Sequence, residues 1–211
     1  MPTRRTDIEK RIVNAALSLV AVQGWNATTL GEIATAAEVT LVQLHRYFPT
    51  RTSIVLAYIE SVDSEMLGGG AEGEEARERL FDVLMRRLDV LGRHKNAVKA
   101  VLRDLPFDPI TGAAVLCHLR RSLAWMLEAA GIGSSGMRGD VRIKGLCLIY
   151  LAILRVWLND ESEDLSRTMA ALDRQLKRAE TIVRCLPARG QPARGQANGP
   201  AEHATQTEAS A

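Results

Sequence analysis

The stretch TLGEIATAAEVTLVQLHRYFPTR, which begins at Thr29, contains two helix-start signals in close succession. Thr29 stands three residues before Glu32, and Thr40 stands three residues before Gln43. Each pair is a capping box, in which both side chains satisfy backbone N–H groups that a helix start leaves free. Pro49 ends the second helix, because the residue before a proline disfavours the helical conformation. We therefore predict two short helices joined by a tight turn.

Helical patterns continue on both sides of this pair. A first helix is predicted from about Thr6 to Gln23, since its apolar residues recur at helical spacing, and Gly24 follows as a C-cap glycine. A fourth helix, capped by Thr50, is predicted to run from about Arg51 to Leu67. The glycines at 68–70 then mark the boundary between a small N-terminal unit and the rest of the chain.

The second unit is also helical in pattern, so the predicted fold class is all-α. Hydrophobic residues make up 46% of the chain and charged residues 25%, which is ordinary for a globular protein. Asp140 is predicted to cap a helix that is apolar almost all round, which indicates burial on several sides. Its most apolar run, Gly145 to Leu158, contains Arg155 and is too short to span a bilayer.

The last helix carries a narrow apolar stripe with alternating spacings of four and three residues. Such a stripe is typical of a coiled-coil seam. It would face the core of its own subunit, pack against a second copy of the chain, or dock on a membrane surface. The residues predicted for a dimer contact are Leu165, Met169, Leu172, Leu176 and Val183.

Residues 187–211 differ in composition from everything before them. They contain a tandem PARGQ repeat and almost no large apolar side chain. A segment of this kind cannot bury enough apolar surface to fold, so we predict a disordered tail.

The sequence contains no recognisable catalytic or metal-binding motif. Its four histidines and three cysteines show no metal-ligand spacing, and no nucleophile elbow, P-loop or dinucleotide fingerprint is present. We predict that the protein is not an enzyme and needs no metal or cofactor. The unpaired cysteines (Cys117, Cys147 and Cys185) and the absence of an apolar signal core at the N-terminus indicate a cytoplasmic protein.

Two helices joined by a tight turn form a helix-turn-helix unit, whose second helix can enter the major groove of DNA. Leu44 and Phe48 are predicted to pack inward with Val39, and the opposite face is predicted to meet DNA. The predicted base-reading residues are Val42, Gln43 and Arg46, since glutamine pairs with adenine, arginine with guanine, and valine with the thymine methyl group. The predicted phosphate contacts are Thr29, Thr40, His45, Tyr47 and Arg51. Arg4 and Arg5 are predicted to form a minor-groove arm.

Residues 8–59 resemble the N-terminal domain of TetR-family regulators. The resemblance is carried by the first-helix pattern and by the segments GWNATTL, EIATAAEVT and LHRYFPTR, which occur in the family's order. It implies an all-α homodimer with a three-helix DNA-binding head (residues 1–50) and a helical ligand-binding and dimerisation body (residues 51–186). It also implies that the last two helices form the dimer contact.

Three residues depart from the TetR pattern at the turn and at the start of the recognition helix. Glu38 stands where the family usually has glycine, and a side chain at positive φ costs about 1 kcal/mol or more. Leu41 and Val42 stand where the family commonly has small or polar residues that include lysine. Residues 1–58 also carry only six basic against four acidic side chains, a net charge of +2, so we expect modest DNA affinity.

A second resemblance covers about 25 residues near the end of the last helix pair. The segment WLNDESEDLSRTMAALDRQLKRAE is similar to the closing segment of ubiquinone-biosynthesis accessory proteins, which share the TetR fold and bind lipids. The shared features are Trp157–Leu158, Asp160, Ser162, Asp164, Thr168 and the ALDRQL run. This resemblance implies an accessory protein that binds a lipid or isoprenoid and does not bind DNA.

Of the two functions, the sequence favours a DNA-binding transcriptional regulator, with repression released by a small apolar ligand. Its partners would be double-stranded operator DNA, a second copy of the chain and that ligand, without stable membrane association. Large apolar residues of the body are the candidate pocket lining, although such residues are core by default. They are Phe81, Leu84, Phe107, Trp125, Met126, Leu146 and Trp157.

Overall fold

A computed structural model describes the backbone of residues 2–185 and the side chains of residues 6–181. This part of the chain contains nine α-helices, one 3-10 turn and no strand, which confirms the all-α prediction. The helices are α1 (Pro2–Gln23), α2 (Leu30–Ala36), α3 (Leu41–Tyr47), α4 (Arg51–Gly68), α5 (Ala76–Gly92), α6 (Lys95–Asp104), α7 (Pro109–Ala129), α8 (Gly136–Leu158) and α9 (Ser166–Cys185), with the 3-10 turn at Leu105–Phe107. The predicted disordered tail and the side chain of Val183 lie outside the described residues.

The three predicted helix starts in the head are confirmed. Thr29, Thr40 and Thr50 are the N-caps of α2, α3 and α4, and each forms a capping box with the residue three positions later. In the first box the Thr29 N–H donates to the Glu32 carboxylate at 2.8 Å, and the Glu32 N–H donates to the Thr29 hydroxyl at 3.2 Å. These starts were predictable because a capping box is formed by neighbours in sequence.

Two predicted boundaries are wrong. Helix α1 begins at Pro2 rather than near Thr6, since proline is well accommodated at the first helical position. Asp140 does not cap α8, which begins at Gly136. Its carboxylate instead accepts a hydrogen bond from the Arg120 guanidinium at 2.6 Å, which joins α7 to α8.

The apolar residues form two cores that share α1. The head core is built from α1, α2, α3 and the start of α4, and Leu44 and Phe48 point into it as predicted. The body core is built from α4 to α9 and also takes in Leu17, Val20 and Trp25 from α1 and the loop after it. Helix α1 therefore packs against the head with one face and against the body with another, since Leu19 packs in the head core and Leu17 in the body core.

The apolar stripe of α9 faces the core of its own subunit. Leu172 and Leu176 are only 1% and 4% exposed and belong to the body core, against which Leu165 also packs. Met169 is half-buried. We therefore correct the assignment of Leu172 and Leu176 to a dimer contact, because a partner helix could reach them only if α9 left the body. The assignment of Leu165 and Met169 stays a prediction.

The turn between α2 and α3 has the left-handed conformation that favours glycine. Glu38 occupies it with a φ of 52°. Helix α1 supports this turn, since the Arg11 guanidinium donates to the carbonyl oxygens of Ala37 at 2.5 Å and Glu38 at 3.2 Å. The head therefore carries a strained residue in the segment that orients α3.

Replacing Glu38 with glycine should relieve this strain. We expect Glu38→Gly to raise the free energy of unfolding by about 1 kcal/mol relative to Glu38→Ala, because alanine retains the Cβ that opposes positive φ. Urea unfolding of both variants measures the difference. The alanine variant is the matched control, since both substitutions remove the exposed carboxylate that lies 3.9 Å from Arg11. Equal stability of the two variants would contradict the assignment of strain to φ.

Candidate DNA-binding surface and ligand cavity

Helix α3 presents a mixed apolar and basic face to solvent. Val42 is 75% exposed, and His45 and Arg46 are exposed in the last turn. Neither His45 nor Arg46 forms a hydrogen bond or ion pair with another described residue. Leu41, one of the three departures from the TetR pattern, is 58% exposed and borders a shallow apolar groove with Leu19.

Three predicted DNA contacts are already engaged in helix caps. The Gln43 amide oxygen accepts a hydrogen bond from the Thr40 N–H at 2.9 Å and lies 3.3 Å from the Thr40 hydroxyl. Gln43 could pair with adenine through both amide atoms only by giving up its cap. The Thr29 hydroxyl is likewise held by Glu32, whose carboxylate occupies the start of α2 where a phosphate would otherwise lie. Hydrogen bonds from Thr29 lower the pKa of Glu32 and keep it charged.

Arg51 has a structural role within the head. Its guanidinium donates to the carbonyl oxygens of Trp25 at 2.9 Å and Thr28 at 2.8 Å. It also lies over the Trp25 ring, 5.0 Å from the centroid. One guanidinium nitrogen of Arg51 thus binds the loop that joins α1 to α2, and its predicted phosphate contact, which could use the other nitrogens, stays a prediction.

The remaining predicted DNA contacts are Tyr47 on α3 and the arm formed by Arg4 and Arg5. Tyr47 is half-buried and packs against the head core, so it is less accessible than predicted. Arg4 and Arg5 fall on the helical backbone of α1, and their side chains lie outside the described residues. Val42, His45 and Arg46 are thus the predicted contacts that lie exposed and unengaged on α3.

The head is joined to the body through the loop after α1. The Trp25 backbone N–H donates to the Asp104 carboxylate at 2.8 Å, and its indole N–H donates to the Asp108 carboxylate at 3.1 Å. The hydrogen bond from Arg103 is the largest cause of a lowered pKa at Asp104, so this carboxylate stays ionised as an acceptor. We call the hydrogen bonds of Trp25 to Asp104 and Asp108 the Trp25 junction.

Gly24 is required at this junction for two reasons. Its φ of 89° lies in the left-handed region that favours glycine. A Cβ at this position would also lie 2.9 Å from the Arg103 guanidinium and 3.0 Å from the Asp104 carboxylate. The predicted C-cap glycine therefore also allows the loop to approach α6 closely.

A cavity of about 320 Å³ is lined by residues of α1, α4, α5, α6, α7 and α8 and of the 3-10 turn. Its wall is almost entirely apolar, and it reaches the surface at Leu116 and Leu151, which are partly exposed. The seven residues predicted to line a pocket do not line this cavity. Leu84, Met126, Leu146 and Trp157 are buried in the core and Phe81 packs against it, whereas Phe107 and Trp125 are 79% and 55% exposed.

The polar side chains at the cavity were not predicted from the sequence. They are Tyr58 on α4, Arg87 on α5 and Tyr150 on α8. Arg87 is paired with Asp63, and its Nε donates to the Tyr150 hydroxyl at 3.0 Å. The sequence does contain one indication of this polar group. Arg87 falls on the apolar face of α5 between Leu84 and Leu91, and a buried charge in that position needs a partner.

Fold and site together define a helix-turn-helix protein whose head is attached to a helical body with an internal apolar cavity. The family described as bacterial regulatory proteins, tetR family, matches residues 12–58, which include the helix-turn-helix. The repressor KstR of Mycolicibacterium smegmatis is 23% identical over 181 residues, covering 84% of this chain and 85% of that protein. The KstR repressor of Rhodococcus jostii is also 23% identical and covers 72% of this chain and 74% of its own.

Solved structures of TetR regulators share the fold of this chain. A TetR transcriptional regulator from Nitrosomonas europaea is 26% identical, with a TM-score of 0.70 over 83% of this chain and 99% of that chain. A TetR regulator from a Rhodococcus species has the same fold, with a TM-score of 0.59 at 22% identity over 82% of this chain and 96% of that one. The chain is therefore similar to TetR-family regulators in two ways: residues 12–58 match the family's domain, and 83% of the chain shares the fold of a solved family member.

The second resemblance is also found, since the COQ9 family matches residues 142–183. In this structure the residues that carry it hold α8 against α9. Asp160 accepts hydrogen bonds from the Thr168 N–H at 2.8 Å and from the Ser162 N–H at 3.2 Å, and these two residues lower its pKa. Trp157 is buried in the core. The match therefore falls on a structural connection, and no helix within the described residues is long and apolar enough to cross a membrane.

The Trp25 junction predicts a measurable contribution of one indole hydrogen bond. We expect Trp25→Phe to lower the free energy of unfolding by about 1 to 3 kcal/mol more than Trp157→Phe, because a bond to a charged carboxylate is lost. Trp157 is the matched control, since both tryptophans are 1% exposed and the same substitution removes the same side-chain volume at each. Urea unfolding measures both. Equal losses would show that the bond to Asp108 contributes nothing.

Proposed function

We propose that this protein is a dimeric, ligand-responsive repressor that acts in the cytoplasm. Residues 1–50 would form the DNA-binding head, and residues 51–186 the ligand-binding and dimerisation body. The observation that carries the proposal is an exposed, unengaged recognition face on α3 in a chain that also has an apolar cavity. The names of the KstR relatives, which are transcriptional repressors, support repression as the direction of control.

We place DNA contacts mainly on Val42, His45 and Arg46. Arg46 would read guanine and Val42 the thymine methyl group, while His45 would approach a phosphate. The N-terminus of α4 would bind a second phosphate through its backbone N–H groups, and Arg4 and Arg5 would add charge close to the DNA. Because each head has few basic side chains, one head alone would bind DNA weakly. We therefore propose that a dimer binds the operator with two heads at once.

The dimer contact is proposed for the outer face of α8. Met137, Val141, Leu148 and Leu151 recur there at helical spacing, and Leu148 is 72% exposed. An exposed apolar stripe of this length is typical of a surface that another chain covers. This contact does not include Leu172 and Leu176 of α9, which are buried within their own subunit.

The Trp25 junction is proposed to transmit the state of the cavity to the head. Leu105 and Gly112 line the cavity, and they flank Asp108, which binds the indole of Trp25. Helix α4 makes a second connection, since its Thr52 hydroxyl is 2.8 Å from the Thr111 hydroxyl of α7. A ligand that favours one arrangement of the segment at 104–112 would therefore bias the position of both recognition helices in the dimer.

The DNA surface is tested by comparing two arginines of the head. We expect Arg46→Ala to weaken binding to the operator and to relax its sequence preference, without changing stability, because Arg46 is exposed and free. We expect Arg51→Ala to lower the free energy of unfolding by about 1 to 3 kcal/mol, because two buried carbonyl oxygens lose their charged donor. Fluorescence anisotropy on DNA flanking the gene, together with urea unfolding, measures both effects.

Arg167→Ala is the control for net charge, since Arg167 is exposed on α9, far from the head in sequence. It should leave both sequence preference and stability unchanged. The proposal fails if the wild-type protein binds no DNA even at low salt. The assignment of roles fails if Arg46→Ala unfolds the head or if Arg51→Ala changes only sequence preference.

The dimer contact is tested by placing a charge on the outer face of α8. We expect Leu148→Glu to convert the dimer to a folded monomer in sedimentation velocity, because two carboxylates would be buried in an apolar contact. Val22→Glu is the matched control, since Val22 is an exposed apolar residue on α1. A Leu148→Glu protein that remained dimeric would rule out this face.

A further inference from the structure

The cavity of the body has a polar end that defines what it can bind. Its volume of about 320 Å³ is at the small end of the range for ligand sites in proteins. Apart from Tyr58, Arg87 and Tyr150, its wall is made of aliphatic side chains and one glycine. A ligand would therefore be compact and mostly apolar, and its polar part would lie against these three residues.

The charge at this end of the cavity is already compensated. Arg87 is 3% exposed and forms an ion pair with Asp63, which also accepts a hydrogen bond from the Ser122 hydroxyl. The His118 ring nitrogen lies 3.6 Å from the same carboxylate. A ligand carboxylate would compete with Asp63 for Arg87 and would lose its own hydration, so the site does not favour an anion.

Tyr58 is the unsatisfied group of the site. Its side chain is 8% exposed and lines the cavity, and its hydroxyl is the only buried side-chain oxygen or nitrogen within the described residues that has no hydrogen-bond partner. Burial raises the pKa of Tyr58 to about 12, so the hydroxyl keeps its proton at physiological pH. A buried hydroxyl without a partner costs free energy that a hydrogen-bond acceptor in the cavity would recover.

Tyr150 supplies a second donor at the same end. Its hydroxyl oxygen accepts the hydrogen bond from Arg87, which leaves its proton available for another acceptor. The cavity therefore offers two hydroxyl protons and an otherwise apolar wall. This combination matches a hydrogen-bond-accepting oxygen on a hydrocarbon skeleton.

We infer that the cavity binds an uncharged, compact apolar molecule that carries one accepting oxygen, a ketone or an alcohol, with Tyr58 as the main donor. The inference rests on the proposed function, because it identifies the chemical class of the regulatory ligand. It also explains how binding reaches the head, since Tyr58 lies on α4 two turns after Arg51, which holds the Trp25 loop.

Three probes that share one carbon skeleton test the ligand class. They are the ketone dihydrocarvone, the hydrocarbon limonene and the carboxylate perillate. We expect dihydrocarvone to bind the full-length wild-type protein about tenfold more tightly than limonene, as one buried hydrogen bond implies. We expect perillate to bind more weakly than dihydrocarvone. Quenching of tryptophan fluorescence, checked by calorimetry, gives the dissociation constants.

Two conservative variants assign the preference to one hydroxyl. Tyr58→Phe should abolish the preference for dihydrocarvone over limonene, and Tyr47→Phe, the same change on α3 outside the cavity, should retain it. Tyr58→Phe should also unfold at the same or a higher temperature than the wild type without probe, because the removed hydroxyl has no partner. A purely structural role of Tyr58 would instead lower that temperature.

Equal binding of ketone and hydrocarbon, tighter binding of perillate, or no binding of any probe would overturn the inference. Operator binding without probe is measured on the same samples. If dihydrocarvone binds through Tyr58 but DNA binding is absent or insensitive to it, the ligand class stands and the proposed repressor function fails. If the protein binds its operator but does not prefer the ketone, the proposed repressor function stands and the inference about the ligand class fails.

Discussion

The Trp25 indole is buried where the chain leaves α1, with one carboxylate at its backbone N–H and another at its ring nitrogen. The Arg51 guanidinium covers the ring and holds the same loop from the side of α4. Both carboxylates belong to the segment that closes one end of the cavity. These hydrogen bonds, together with the packing of Leu17 and Val20 in the body core, attach the head to the body.

The local features of the head could be predicted from the sequence. The caps at Thr29, Thr40 and Thr50 depend on residues three positions apart, so neighbouring letters contain the whole interaction. The inward stripe of α3 was predictable for the same reason. Glu38 was expected to be strained if the turn required positive φ, and the turn does require it.

The long-range features could not be predicted in this way. The spacing of Leu172 and Leu176 indicates that α9 has an apolar face, but not whether that face meets its own subunit or another. The role of Arg51 depends on carbonyl oxygens more than 20 residues earlier in the chain. The cavity is a space between six helices, so its lining depends on how they pack, and none of the residues chosen from the sequence for their size lies on it.

The sharing of α1 by two cores limits how this protein can be re-engineered. Ile12 and Ala16 belong to the head core, whereas Leu17 and Val20, a few residues later on the same helix, belong to the body core. A chimera that joined this head to a different body would leave Leu17, Val20 and Trp25 without their apolar neighbours. The head can therefore not be exchanged as a module, and an engineered change would have to keep this stretch of α1 and alter exposed residues such as Val42 and Arg46 on α3.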